Sequence, residues 1–248
     1  MIIFYIIVIL FLLYIVIKKH KRKHAHKVGK TFNVFEYLSN KRQLIETVTS
    51  LERGTWSERE LILKLLKNDF PAGAIFHDLY ILKPNGQTSQ IDLVLATKVG
   101  LIVFEVKDYS GWIFGKGNQQ TWTQVLSYGR EKNRFYNPIL QNKKHIDVLR
   151  KQSKQFSKIP IYSVIVFFGS CSLRNISFIP KDTIVTTSYR VIEAIQTIIS
   201  ENEPANYTDK HEIVRILKQA VLNGNDTNIQ ENHITQIEDM IGKNRLFE

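Results

Sequence analysis

The chain of 248 residues has little that would staple it together or keep it unfolded. Its one cysteine, Cys171, has no partner for an internal disulfide, which excludes four-cysteine zinc sites and the cysteine-rich build of small secreted domains. Twelve glycines and six prolines are too few for a collagen-like or low-complexity chain, and no internal repeat occurs. With 44% hydrophobic and 23% charged residues the composition is that of a folded protein, and the length suits one core with appendages better than two large domains.

Acidic residues are missing from one end. Residues 1–30 hold seven Lys/Arg and no Asp or Glu, so the formal charge of +11 becomes +4 over the other 218 residues, with 27 basic against 23 acidic side chains. Bulk charge therefore gives weak support to a polyanionic partner, and that case must rest on a site. Residues 1–17, MIIFYIIVILFLLYIVI, carry no charge at all and make about 25 Å of helix. The stems of Lys18 and Lys19 extend this toward the ~30 Å of a bilayer core. The basic block KKHKRKH follows the apolar run and no small-residue cleavage pattern comes after it, so residues 1–18 read as an uncleaved signal anchor. A basic flank stays on the cytoplasmic side, which predicts a single-pass protein of the cell membrane with the bulk of the chain in the cytoplasm and the lipid bilayer as a partner. His20, His24 and His26 belong to that topology signal rather than to a metal tract.

Residues 19–50 form a basic juxtamembrane linker followed by a loose helical pattern, and residues 56–69 form a stronger helix that ends at Asn68-Asp69-Phe70-Pro71. Residues 74–82, 89–97 and 101–107 are strands, and their nearly continuous apolar runs predict a sheet covered on both faces. The Gly-rich run GWIFGKG lacks the spacing of a phosphate loop and reads as a turn. A short strand at 121–126, a helix from Pro138 to about Gln155, strands at 161–168 and 183–185, and helices at 187–200, 209–222 and 228–241 complete the pattern. This is an α/β or α+β arrangement around one sheet. The organisation is a span at 1–18, a linker at 19–50, a central domain at 51–170 and a strand-and-helix extension at 171–248.

Carboxylates interrupt two of the apolar strands. Asp92 lies inside the strand at 89–97, Glu105 inside LIVFEVK, and Lys107 follows two residues on. An E-x-K pair is usually a solvated ion pair, but burying an unpaired carboxylate costs several kcal/mol unless a cation or hydrogen bonds meet it. If the Lys98-Val99-Gly100 turn has an even number of loop residues, Asp92, Glu105 and Lys107 share a face, whereas a three-residue loop would separate the two acids. Two converging carboxylates and an ammonium group suit a hard divalent cation such as Mg²⁺ or Mn²⁺.

The order of motifs resembles that of the NERD (nuclease-related) domain, which is similar to the PD-(D/E)xK nucleases. The resemblance runs from about Gly54 to Phe168. It is carried by GTWSE with Glu58, TSQIDL with Asp92, GLIVFEVKDYSGWIFG with Glu105 and Lys107, Trp122, and NPILQNKKH with Asn137, Gln141 and His145. Ser57 stands where the family usually has glycine, and Leu93 where it usually has histidine. The resemblance implies a restriction-endonuclease-like α/β core, a mixed sheet with an antiparallel hairpin flanked by helices, preceded here by the transmembrane helix. It implies that Asp92, Glu105 and the Val106 carbonyl ligate the metal, that Glu58 completes the acidic site, and that Lys107 orients or activates the attacking water. Gln90 and Gln141 either hold substrate or satisfy buried backbone.

The function expected from this is hydrolysis of phosphodiester bonds in DNA or RNA by a membrane-anchored, metal-dependent nuclease. The competing expectation is a tethered adaptor that binds nucleic acid or a protein without cutting. Trp112, Phe114, Trp122, Tyr128 and Tyr136 are candidates for stacking on bases, though aromatics in strands more often pack in a core. His77 and His145 lack a partner at i+4 and are weak as zinc ligands.

Overall fold

A computed structural model describes residues 34–126 and 129–244, and the side chains of residues 37–126 and 129–237. The apolar span at residues 1–18 lies outside the described residues. No helix among the described residues is long and apolar enough to cross a membrane. The chain divides into two units, Met1–Gln43 and Leu44–Glu248. Helix α1 (Val34–Glu46) begins in the first, and the elements that follow belong to the second.

Helix α2 (Trp56–Lys67) starts where Thr55 caps it: the Thr55 hydroxyl accepts from the Glu58 N–H, with glutamate at the third helical position as in a capping box. It ends at Asn68, and Pro71 prevents its continuation. Strands β1 (Ile75–Leu82), β2 (Thr88–Thr97) and β3 (Gly100–Asp108) then form two antiparallel hairpin connections, and β7 (Ile161–Phe168) and β9 (Thr183–Thr187) add in parallel, giving the order β1-β2-β3-β7-β9. The apolar runs are continuous because both faces are covered. Leu61, Ile62 and Leu65 of α2 pack with Val191, Ile195 and Ile198 of α5 (Val191–Glu201) on one face. Ile146 and Leu149 of α3 (Pro138–Arg150) pack with Ile213 and Leu217 of α6 (Lys210–Asn223) on the other. The short α4 (Lys154–Lys158) adds Phe156 to this second core, and α7 (Thr227–Asn244) closes the described chain.

A second sheet was not anticipated. Strands β4 (Gly111–Lys116), β5 (Thr121–Leu126), β6 (Glu131–Tyr136) and β8 (Cys171–Ser177) pair in the order β6-β5-β4-β8. The run GWIFGKG, expected as a turn, is thus mostly strand. Gly115 is there for closeness rather than for bending, since a Cβ at that position would stand 2.1 Å from the Trp122 ring. Trp122 is fully buried and lies parallel to Phe167 within 5°, with ring centroids 6.2 Å apart, so it joins the two sheets and is not a base-stacking residue. The helix expected from Pro138 to Gln155 stops at Arg150, and Ser153 caps α4 as a separate helix.

The turn between β2 and β3 has two residues, Lys98 and Val99, since Thr97 pairs with Gly100. The register continues to Leu93 opposite Phe104, so the next opposed residues are Asp92 and Glu105. This is the even-loop case, and it sets the two acids on one face with Lys107.

Candidate active site

The antiparallel ladder between β2 and β3 ends at Leu93 and Phe104. Beyond it the Asp92 side chain takes the place of a backbone partner, with Oδ2 accepting from the Val106 N–H at 2.7 Å. The N–H and C=O of one strand residue point the same way. The Val106 carbonyl is therefore turned toward the same gap between the strands.

Glu105 is buried, 1% exposed, and faces α3. Its Oε1 is 2.6 Å from Lys107 Nζ, and its Oε2 is 3.4 Å from His145 Nε2 but accepts no hydrogen bond. Lys107 Nζ also donates to Gln141 Oε1 at 3.1 Å, and His145 Nδ1 is 2.9 Å from Ser89 Oγ. The first two turns of α3 thus meet the strand that carries the acids. Asn137 caps that helix by accepting from the Ile139 N–H, and its amide donates to the carbonyls of Lys116, Gly117 and Gln119, which ties α3 to the second sheet.

The protonation of these groups follows from their neighbours. Burial pushes Asp92 up, and the negative charges of Glu105 and Glu58 push it further, so its carboxyl sits well above the ordinary value despite Lys107 and the Val106 N–H. Burial also pushes Glu105 up, but His145 and Lys107 outweigh it and leave the carboxyl below its ordinary value. For Lys107 burial acts downward, and the charge and hydrogen bond of Glu105, with Asp92, raise it instead. Lys107 is held as an ammonium ion.

Glu58 approaches from α2. Its Oε1 accepts from the Thr55 hydroxyl at 2.8 Å and its Oε2 is 3.0 Å from His77 Nε2, while His77 Nδ1 is 2.8 Å from Thr49 Oγ1. Burial raises the Glu58 carboxyl, but the bonds from His77 and Thr55 bring it below the ordinary value. Both its oxygens are already engaged, and it reaches Asp92 through its charge. Gly54 allows this: its φ is +65°, and a Cβ there would lie 2.4 Å from His77 Nε2 and 2.5 Å from Glu58 Oε2.

Of the residues singled out from sequence, Asp92, Glu105, Lys107 and Gln141 are brought together, with Glu58 beside them. Gln90 is not; its amide donates to Asp78 Oδ1 at 2.7 Å. Asp78 has a φ of 55°, and the strand alternation shifts there, so that Phe76 and Leu79 enter the same core. Arg53 holds this kink through Nε to Asp78 Oδ2 at 3.0 Å and Nη2 to the Asp78 carbonyl at 2.6 Å. The departures from the family pattern also find places. Ser57 donates to Asp108 Oδ2 at 2.6 Å, and Leu93 is fully buried opposite His77, which supplies an imidazole from the adjacent strand. His145 and Ser89 were missed as site residues, although both lie inside the motifs NPILQNKKH and TSQIDL. Among the described residues no group of three or more His, Cys, Asp or Glu side chains is arranged to hold a metal ion.

An uncharacterized protein of Bacillus anthracis is 27% identical over 191 residues, which cover 77% of this chain and 86% of the relative. No solved structure matches. Residues 53–168, which contain the acids, the lysine and the first turns of α3, match the family model described as nuclease-related domain.

Proposed function

We propose that the chain hydrolyses phosphodiester bonds in nucleic acid, DNA or RNA, at the Asp92, Glu105 and Lys107 cluster. The observation that carries this is the unequal state of two facing carboxylates. Burial and then neighbouring negative charge hold Asp92 above its ordinary pKa, and the buried Glu105 Oε2 has His145 Nε2 at an ion-pair distance of 3.4 Å but no hydrogen bond. A divalent cation between them would relieve both. Asp92, Glu105 and the Val106 carbonyl are hard oxygen donors of the kind Mg²⁺ or Mn²⁺ takes. Mg²⁺ keeps several waters and needs only one or two carboxylates, so a cage of three side chains is not required. When bound, the ion supplies positive charge that polarises the scissile phosphate.

The chain's own groups do the rest. Lys107 has three N–H donors. Glu105 Oε1 and Gln141 Oε1 take two, which leaves one for the attacking water or a phosphoryl oxygen. As an ammonium ion it orients that water and offsets charge developing on the phosphate, and it is not the base. His145, oriented by Ser89, holds Glu105 in place. Glu58 positions α2 and adds negative charge that favours a cation at Asp92.

The proposal extends to location: residues 1–18 anchor the chain in the cell membrane and residues 19–248 face the cytoplasm. A reporter fused after Glu248 should be active inside the cell and sediment with membranes. Activity only outside would reverse the orientation. For the chemistry, the full chain in detergent is incubated with labelled single- and double-stranded DNA and RNA, with Mg²⁺, Mn²⁺ or EDTA. Cleavage that needs the ion and is lost in Asp92→Ala supports the reading; binding without cleavage under every condition returns the adaptor.

A further inference from the structure

The second sheet has two unlike faces. One is the core side, with Ile113, Trp122 and Phe135 packed toward Phe167. The other follows from the register: Trp112 opposes Val125 and Phe114 opposes Thr123, while Val125, Thr123 and Thr121 oppose Lys132, Arg134 and Tyr136. Opposed residues share a face, so one surface collects two aromatic rings on β4, two cations and a tyrosine on β6. From β8, Arg174 reaches over the Trp112 ring at 6.0 Å.

Trp112 is 38% exposed, and Phe114, Thr123 and Val125 with Lys132 and Gly129 line a shallow groove of about 490 Å³. The one acid in these four strands, Glu131, alternates to the opposite face from Lys132 and Arg134. The surface thus combines open aromatic rings with basic side chains and has no carboxylate of its own.

Its edges lie within reach of the acidic site. Trp112 is five residue steps on from Lys107, which spans at most about 18 Å even when fully extended. On the other side, Gln141 touches Lys107, and Lys144, about one turn further along α3, lies 4.7 Å over the ring of Tyr136 at the edge of this face.

We infer that the outer face of the second sheet binds a single-stranded nucleic acid, stacking bases on Trp112 and Phe114 and holding phosphates with Lys132, Arg134 and Arg174, and so feeds the strand to the acidic site. This rests on the nuclease reading and names its substrate as single-stranded. Rings exposed on a pleated surface stack on any base, and cations beside them follow the backbone, whereas a duplex hides its base faces. The occupant is fixed by charge complementarity: an aromatic groove rimmed by Lys and Arg selects a polyanion with flat rings.

The test uses the full chain in detergent with EDTA present, and fluorescein-labelled oligothymidylate or oligouridylate as probe, with a duplex of equal length as competitor. Wild type should prefer the single strands. Trp112→Ala should weaken binding about tenfold, the loss of one stacked base, while Trp112→Phe stays within about twofold. The Lys132→Gln, Arg134→Gln double variant should lower the salt dependence of log K by about 1.4, at roughly 0.7 per phosphate contact on a single strand. Lys98→Gln, at the far end of the β2–β3 hairpin, should leave the slope unchanged. Duplex preference, or wild-type affinity and slope in both the Trp112→Ala and the double variant, overturns the inference. Cleavage measured separately with Mn²⁺ keeps the two readings apart. If wild type cuts and Trp112→Ala binds and cuts equally well, the face is wrong and the nuclease reading stands. If Trp112→Ala loses binding and no variant cuts, the face stands and the nuclease reading falls.

Discussion

Two buried clusters that each pair carboxylate with cation lie on neighbouring strands, and they are finished to different degrees. Around Asp78 every oxygen is engaged: Gln90 donates to Oδ1, Arg53 to Oδ2, and Arg53 also to the backbone carbonyl. Around Glu105, Oε1 has Lys107, Oε2 has His145 Nε2 at 3.4 Å without a hydrogen bond, and the facing Asp92 is raised by burial and by like charge. The first is a structural knot that holds a left-handed kink and, through Arg53 Nη1 to the Val221 carbonyl, fastens α6 to the sheet. The second, even with the Lys107 ammonium beside Glu105, leaves its two carboxyl groups short of positive charge. A buried charge that is fully matched holds the fold, and one left partly unmatched points to a missing ligand.

The contrast breaks most sharply at Asp78. Asp78→Ala should cost about 3 kcal/mol in urea unfolding, because the largely buried Arg53 loses its carboxylate and keeps only neutral acceptors. Cleavage per folded molecule should barely change. Lys107→Gln should show the reverse pattern, a loss of about a hundredfold in cleavage, with far-ultraviolet dichroism unchanged.

A smaller effect sharpens the comparison within the site. Asp92 has its folded pKa raised, so its contribution to stability is fully present below the unfolded carboxylate value and is lost as pH rises toward the folded one. Asp92→Asn still accepts from Val106 and should therefore stabilise the metal-free protein by about 1 kcal/mol at neutral pH. The gain should shrink in thermal melts taken in acid. Glu58 has the opposite sign, since its folded pKa is lowered and its contribution is present above the unfolded value. Glu58→Gln should cost about 1 kcal/mol at neutral pH. That difference should close as pH falls through the folded pKa, and melts of this variant that show no such closure would remove the His77 and Thr55 bonds from the account.

How far these clusters could be read from sequence depends on how local their causes are. Asp92, Glu105 and Lys107 stand out because carboxylates break apolar runs, and their common face needs only the two-residue loop at Lys98-Val99. The buried strands were legible for the same reason. Strands β6 and β8 were not, since EKNRFY carries no apolar alternation and in CSLRNIS a register shift breaks that of Cys171, Leu173 and Ile176; both owe their pairing to β5 and β4. The strand at Gly111–Lys116 was hidden by glycines that serve close approach within the sheet, Gly115 to the Trp122 ring and Gly111 to the Val125 carbonyl. The Asp78 knot joins residues 25 apart to a carbonyl 168 residues from Arg53, and no spacing in the sequence announces it.

Titration calorimetry with Mn²⁺ tests the central claim most directly, because it asks whether the unmatched cluster takes a cation and the matched one does not. Wild type and Asp78→Asn should bind the ion, and Asp92→Asn and Glu105→Gln should lose binding while remaining folded. No heat of binding in the wild type, or binding that survives in Asp92→Asn and disappears in Asp78→Asn, would contradict the account.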